Sequence, residues 1–261
     1  MKLFKFINIS LLLIFLAQSK TYAAAFNSTL DAATYQITIT RIELCATGSS
    51  LTTCLNSADL FTGTSDTIDI ASTTAGASAA TLGNPGAILP GTTYTHMQVT
   101  MKRSMTINGG AGSGVDGVGG ACYTDGTAGT ATTSALGSKT ASDLDDAVIY
   151  VGVPGLAGQG SNVNSTTLGD GTGTDAATGT FDSGDEFFEW RGALTNAFTM
   201  APGQIPSVEI AFSTTSALGF YNNDKDQTTP ADNECDDRAN ITNKTQLGFY
   251  GSAPTVTLTF K

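Results

Sequence analysis

Apolar and polar residues alternate along most of this chain with a period of two, as strands with one buried face require. In residues 35–45, "YQITITRIELC", the apolar set Tyr35, Ile37 and Ile39 changes parity to Ile42 and Leu44. A parity change inside one run predicts a bulge or a strong local twist. Residues 66–72, "DTIDIAS", read as a short alternating strand. The run "LPGTTYTHMQVTMKRSM" opens on a turn at Pro90 and Gly91. The strand that follows puts Met97, Val99 and Met101 on one face and Tyr94, His96, Gln98, Thr100 and Lys102 on the other. Met97, Met101 and Met105 also fit a helical period, but the threonines and the preceding turn favour a strand.

Further on, "AVIYVGV" (147–153) is nearly all apolar and predicts a central strand. "EFFEWRGALTNAF" (186–198) holds the largest aromatic cluster. "SVEIAFST" alternates with Val208, Ile210 and Phe212 inward, and "TVTLTF" with Val256, Leu258 and Phe260. "SDLDDA" predicts a single helical turn, and no long amphipathic helix is visible. Two Gly/Ser/Thr/Asp-rich segments interrupt the pattern, and they predict loop insertions near 108–146 and 155–185. No repeat or linker divides independent cores. The expectation is all-β: one antiparallel β-sandwich, Ig-like or prealbumin-like, spanning 26–261 with long loop insertions.

The order of these pieces resembles a group of exported bacterial β-sandwich domains of unknown function with a prealbumin-like arrangement. In those, a strand of the "ITITRIEL" kind precedes a short "IDIAS"-like strand. A "LPGTTYTHMQVTM"-like strand follows a Pro/Gly turn, and "SVEIAFSTTSAL" and "TVTLTF" counterparts come late. This chain lacks the acidic residues expected where "AFSTTSAL" stands, and its insertions have no counterpart. The resemblance implies a fold and implies no activity or catalytic residue.

The first residues change the picture by assigning a compartment. Lys2 and Lys5 precede an apolar run too short for a comfortable membrane span, and "TYAAAF" offers small residues at Ala23 and Ala25. This predicts a signal peptide over 1–25, cleaved after Ala25. No later stretch is long and apolar enough for a transmembrane helix. Removing Lys2, Lys5 and Lys20 takes three of the 12 basic residues while all 23 acidic ones remain, so the net charge moves from −11 to −14. Such a field opposes nucleic acid and anionic membranes. The four cysteines of an exported chain are expected as disulfides. Cys45 and Cys54 flank a polar turn and are predicted to pair, leaving Cys122 for Cys235. With one histidine and no CxxC spacing, zinc is the poorer reading.

The sharpest candidate chemistry is acidic. Residues 221–240 read "YNNDKDQTTPADNECDDRAN". Asn222, Asp224 and Asp226 occupy alternate positions, as the first ligands of a calcium loop do. Gln227 then stands where an EF-hand needs glycine, and Asn233 where it needs the bidentate glutamate, with Glu234 one residue late. An EF-hand is excluded. A looser Asx-rich calcium site from Asn222, Asp224, Asp226, Asp232 and Glu234 is retained beside the alternative of a solvated loop. His96 has neither a triad nor a zinc set around it. The GxGxxG match at Gly112–Gly117 lacks the strand–turn–helix setting that would hold a pyrophosphate, and is rejected. Asp182, Asp185, Glu186 and Glu189 beside Phe187, Phe188 and Trp190 fit a glycosidase or a sugar-stacking platform. Alternation, however, puts Phe188 and Trp190 together on a core face with Glu189 opposite. The Asn-X-Thr/Ser matches beginning at Asn27, Asn164, Asn240 and Asn243 are expected by chance at this composition.

The functional expectation is an exported, disulfide-stapled surface or periplasmic module with a binding or structural role and no catalysis of its own, with calcium as its one candidate cofactor. Its partner would be a surface glycan or a protein. The rivals are a carbohydrate-active or carbohydrate-binding protein using 182–190, an outer-membrane barrel, and a fibre subunit whose 26–34 arm completes a neighbour.

Overall fold

The computed structural model describes residues 32–71, 84–111, 122–138, 140–151, 163–165, 181, 184–202, 208–213, 218–222, 247–251 and 255–260. The predicted signal peptide lies outside them. The strands are β1 (Thr34–Ile37), β2 (Ile39–Ala46), β3 (Ala58–Thr62), β4 (Ile68–Asp69), β5 (Thr93–Lys102), β6 (Ser104–Asn108), β7 (Gly110–Ala111), β8 (Cys122–Thr124), β9 (Gly137–Ser138), β10 (Ala147–Tyr150), β11 (Val163–Ser165), β12 (Phe187–Thr199), β13 (Val208–Ser213), β14 (Leu218–Asn222), β15 (Leu247–Gly251) and β16 (Thr255–Phe260). Short 3-10 turns occur at Pro85–Ala87 and Ala141–Asp143, the second beside the expected "SDLDDA" turn. No α-helix occurs among the described residues.

The strands form antiparallel sheets. One has the order β10-β6-β1-β4 and another β11-β12-β5-β2-β3, with a three-stranded β7-β8-β9 sheet and the pairs β13-β16 and β14-β15. Two long ribbons hold the larger sheets together. The chain passes from the four-stranded to the five-stranded sheet at Thr38, between β1 and β2, and returns at Arg103, between β5 and β6. The crossings are neighbours, because the Lys102 N–H donates to the Thr38 carbonyl at 2.9 Å. Strands that bend from one sheet into another form such corners, with bulges relieving the register. The register between β2 and β5 shifts between Ile39 and Arg41. The parity change expected in residues 35–45 falls at this shift, where Thr40 is the extra residue, so it is a bulge inside β2 as expected, just after the chain has crossed between sheets at Thr38.

Both sheets contribute to one core. Ile42, Leu44, Met97, Val99 and Phe188 come from the five-stranded sheet, and Tyr35, Ile37, Met105, Ile107, Ala147 and Ile149 from the other. Leu218 and Phe220 of β14 and Phe249 of β15 join them. Phe220 and Phe249 are cross-strand partners whose rings meet edge to face at 4.9 Å, a geometry favoured by the ring quadrupoles. In the β13–β16 pair, Val208, Ile210 and Phe212 stand opposite Phe260, Leu258 and Val256, as the shared alternation requires.

Three expectations need correction. Tyr94 was assigned to the polar face with His96, yet it is fully buried. A second register shift, where Cys45 and Ala46 of β2 pair with His96 and Tyr94, leaves Thr95 as the extra residue and turns Tyr94 back to the core, while on the other side residues 194–197 of β12 bulge past Thr95. Its hydroxyl accepts the Leu89 N–H at 3.1 Å. The "AVIYVGV" strand was expected to be central, but β10 ends its sheet, and its Val148 carbonyl is capped by the Gly129 N–H at 2.8 Å. The insertion near 108–146 is more than surface loop: it supplies β8 and β9 and buries Cys122, Ala135 and Leu136. The described part of 155–185 includes β11, paired with β12, and the buried Phe181.

The first described residues are built in as well. Ala32 is buried, the Ala33 N–H donates to the Asn108 carbonyl at 2.8 Å, and β1 lies between β6 and β4. Residues 32–34 of the arm considered for a fibre subunit are thus seated in the chain's own sheet.

Candidate functional site

Among the described residues, the largest group of interacting charges lies on the face of the five-stranded sheet turned away from the shared core. Alternation that sends Ile42, Leu44, Val99 and Phe188 inward sends Arg41, Glu43, Gln98, Glu189 and Arg191 outward. Register sets them side by side: Gln98 pairs with Arg191 of β12 and with Glu43 of β2, and Glu43 with Asp59 of β3. Gln98 is the bridge. Its Nε2 donates to Glu43 Oε2 at 2.6 Å and, more weakly, to Glu189 Oε1 at 3.4 Å. Its Oε1 accepts from Arg191 Nε. A second Arg191 nitrogen bonds Glu189 Oε2 at 2.5 Å. At the other end the Arg41 guanidinium contacts Glu43 Oε1 at 3.1 Å and Asp59 Oδ1 at 2.7 Å.

Glu43, Gln98 and Arg191 are buried, whereas Arg41 and Asp59 reach water. Taking such groups out of solvent is costly unless their bonding capacity is met inside. Here each carboxylate has a guanidinium partner. Burial raises the Glu189 carboxyl above the ordinary carboxylate range. The Glu43 charge adds to that rise, and Arg191 and Arg41 oppose it. Chemically, the arrangement fixes three strands to one another and holds one carboxyl with a raised affinity for a proton.

This network escaped the sequence reading. Its signal was present as two mirrored pairs, Arg41-Ile-Glu43 and Glu189-Trp-Arg191, each with opposite charges two residues apart and so on one strand face.

The acidic–aromatic segment divides as alternation predicts. Phe188 is buried, and Trp190 packs against the core, its indole lying over Gly192. Glu189 belongs to the outer network. Glu186 pairs with Lys102 at 3.3 Å. Asp185 is buried near Arg103, whose guanidinium donates to the carbonyls of Val151 at 2.8 Å, Asp185 at 2.8 Å and Ala131 at 3.1 Å. Arg103 also lies over the Phe181 ring, 4.7 Å from its centroid. His96 is half-buried, its Nδ1 3.0 Å from Thr95 Oγ1.

Of the candidate calcium ligands, Asn222 closes β14 opposite Leu247, while Asp224, Asp226, Asp232 and Glu234 lie outside the described residues. Among the described residues, no group of three or more His, Cys, Asp and Glu side chains is placed to hold a metal ion. Cys45 and Cys54 form the expected disulfide, with Cα atoms 5.1 Å apart, across the loop from β2 to β3. Cys122 is buried, and its expected partner Cys235 lies outside the described residues. No helix among the described residues is long and apolar enough to cross a membrane.

No family model matches the chain. Neither a curated protein nor a solved structure shows a significant match.

Proposed function

We propose that this chain is an exported, disulfide-stapled β-sandwich of the prealbumin-like kind, acting as a surface or periplasmic module with a binding or structural role. The observation that carries this reading is how the charged groups are used. The carboxylates of Glu43 and Glu189, the best acid–base candidates among the described residues, bond to Arg41, Gln98 and Arg191 and brace strands. A catalytic pair would instead aim its oxygens at a shared opening. The Cys45–Cys54 bridge supports an oxidising compartment, where such bonds persist.

Two experiments test the reading. The full chain is expressed in a bacterium with a periplasm and its intact mass is measured after alkylation without reductant. The expected product begins at Phe26 and takes up no alkylating reagent. A product that keeps Met1, with Cys45 and Cys54 alkylated, would contradict export. For the candidate calcium loop, the mature protein is melted with calcium and with chelator. Calcium bound only by the folded state raises the midpoint by mass action. Coincident curves would leave Asn222, Asp224, Asp226, Asp232 and Glu234 as a solvated loop.

A further inference from the structure

Among the described residues, the Cys45–Cys54 bridge lies on the same face as the charged network. Leu44 and Ala46 belong to the core, and Cys45 between them turns away from it. Register sets Cys45 directly opposite His96 of β5, on that face. Side chains paired across strands have Cβ atoms about 4.5–5.5 Å apart. Thr95, the extra residue of β5, ties the two together. Its hydroxyl lies 3.4 Å from the Ala46 carbonyl and 3.0 Å from His96 Nδ1. A hydroxyl has one hydrogen, so donating it to Ala46 makes Thr95 accept from an Nδ1–H. The imidazole is thereby anchored at the residue that follows Cys45.

The two sulfurs differ in access. Cys45 is fully buried, whereas Cys54 is half-buried between exposed Thr53 and Leu55. Hydrogen bonds close the loop independently of the bridge. The Ala46 N–H donates to the Leu55 carbonyl at 2.9 Å, the Leu55 N–H to Ser49 Oγ at 2.9 Å, and Ser49 Oγ to the Ala46 carbonyl at 2.6 Å. Ser50 and Thr53 form a further antiparallel bridge. These bonds hold the cysteines side by side when the sulfurs part, so opening is reversible.

Thiol–disulfide exchange depends on which sulfur can be reached and on how good a leaving group the other is. Both considerations point the same way. An incoming thiolate reaches Cys54 Sγ, bonds to it and breaks the Sγ–Sγ bond. The electron pair leaves on Cys45 Sγ, beside His96. An imidazolium there stabilises the thiolate and supplies a proton to it. With a dithiol reductant, the second thiolate attacks the mixed disulfide and releases Cys54. The reductant becomes a disulfide, and the protein gains two electrons and two protons. The other charged groups near this point are committed elsewhere. Glu43 on β2 bonds Gln98 and Arg41, Arg191 on β12 bonds Gln98 and Glu189, and Asp59 on β3 bonds Arg41. Ala193, which faces His96 from β12, is uncharged, and residues 46–53 carry no titratable side chain. His96 is therefore the group beside Cys45 whose charge changes in mild acid.

We propose that the Cys45–Cys54 bridge is a redox switch that exchanges with external thiols at Cys54, with His96 positioned to stabilise Cys45 as the leaving thiolate. This goes beyond the module reading, which needs only that the bridge forms. The oxidised mature protein is exposed briefly to glutathione under native conditions, quenched with an alkylating reagent and mapped by peptide mass. Glutathione is expected on Cys54 and the alkyl group on Cys45. Reduction by dithiothreitol is then timed for the wild type and His96→Gln, each rate divided by the thiolate fraction of the reductant. An imidazole gains its charge between about pH 8 and 5. The wild type should therefore pull ahead of the variant as pH falls, by about threefold or more. Rates that coincide at every pH, glutathione on Cys45, or a bridge that opens only when denaturant unfolds the chain would overturn the proposal. The map uses the wild type, so it decides the matter should His96→Gln fail to fold. Each of these failures leaves the export reading intact, whereas a reduced, uncleaved chain defeats that reading and not the exchange.

Discussion

Arg103 is fully buried at the return crossing between the sheets, and its side chain gathers three separate segments. Five donors in a rigid fork suit this task, because several carbonyls can be satisfied by one charge. Arg103→Met keeps much of the volume but leaves those carbonyls without a donor. We expect a loss of about 3–5 kcal/mol in urea unfolding, in line with removing one partner of a buried charged set. Arg103→Lys should lose less, since it keeps the charge without the fork. Glu189 makes a different prediction. Its folded carboxyl binds a proton more tightly than the unfolded one, so its unfavourable contribution is absent below the unfolded value, about pH 4.3. Stability is lost as pH rises through the raised folded value. Glu189→Gln should therefore flatten the wild-type fall in melting temperature as pH rises above about 4.3. An unchanged pH profile would show that Glu189 does not titrate in that window.

At the scale of elements, β15 is tied to the insertion before it. The Phe249 N–H donates to the Ala135 carbonyl at 2.9 Å. Gly248 has φ +137°, and a Cβ there would strike Ser134 and Ala135. Gly248→Ala combines a left-handed backbone with a clash against backbone, so a cost of about 2–4 kcal/mol is expected in denaturant melts. The element pattern was legible where alternation was clean: β1, β2, β5 and β12 stand where the apolar periods of Tyr35, Ile42, Val99 and Phe188 put them. Tyr94 was misread because a bulge inverts parity without leaving a mark in residue type. The 122–138 segment was misread partly because Ala135 and Gly137, small residues that carry little apolar signal, pack beside Phe249 far along the chain. The charged network was half legible, since Arg41 with Glu43 and Glu189 with Arg191 share faces by spacing. That the two pairs meet through Gln98 follows only from strand order.

At the scale of the molecule, two ribbons that bend at Thr38 and Arg103 make the larger sheets share one core, and a disulfide closes the loop after β2. Charge pairing braces the strands of the five-stranded sheet on the face turned away from that core. The account stands or falls on the larger sheets and the bridge acting as one cooperative, oxidised unit. Calorimetric melting of the mature protein beside its Cys45→Ser/Cys54→Ser variant measures this directly. The account predicts one transition in each, with the variant lower by about 5–10 °C, as a bridge over a short loop implies. Two separated transitions in the wild type, or an unchanged midpoint in the variant, would contradict it.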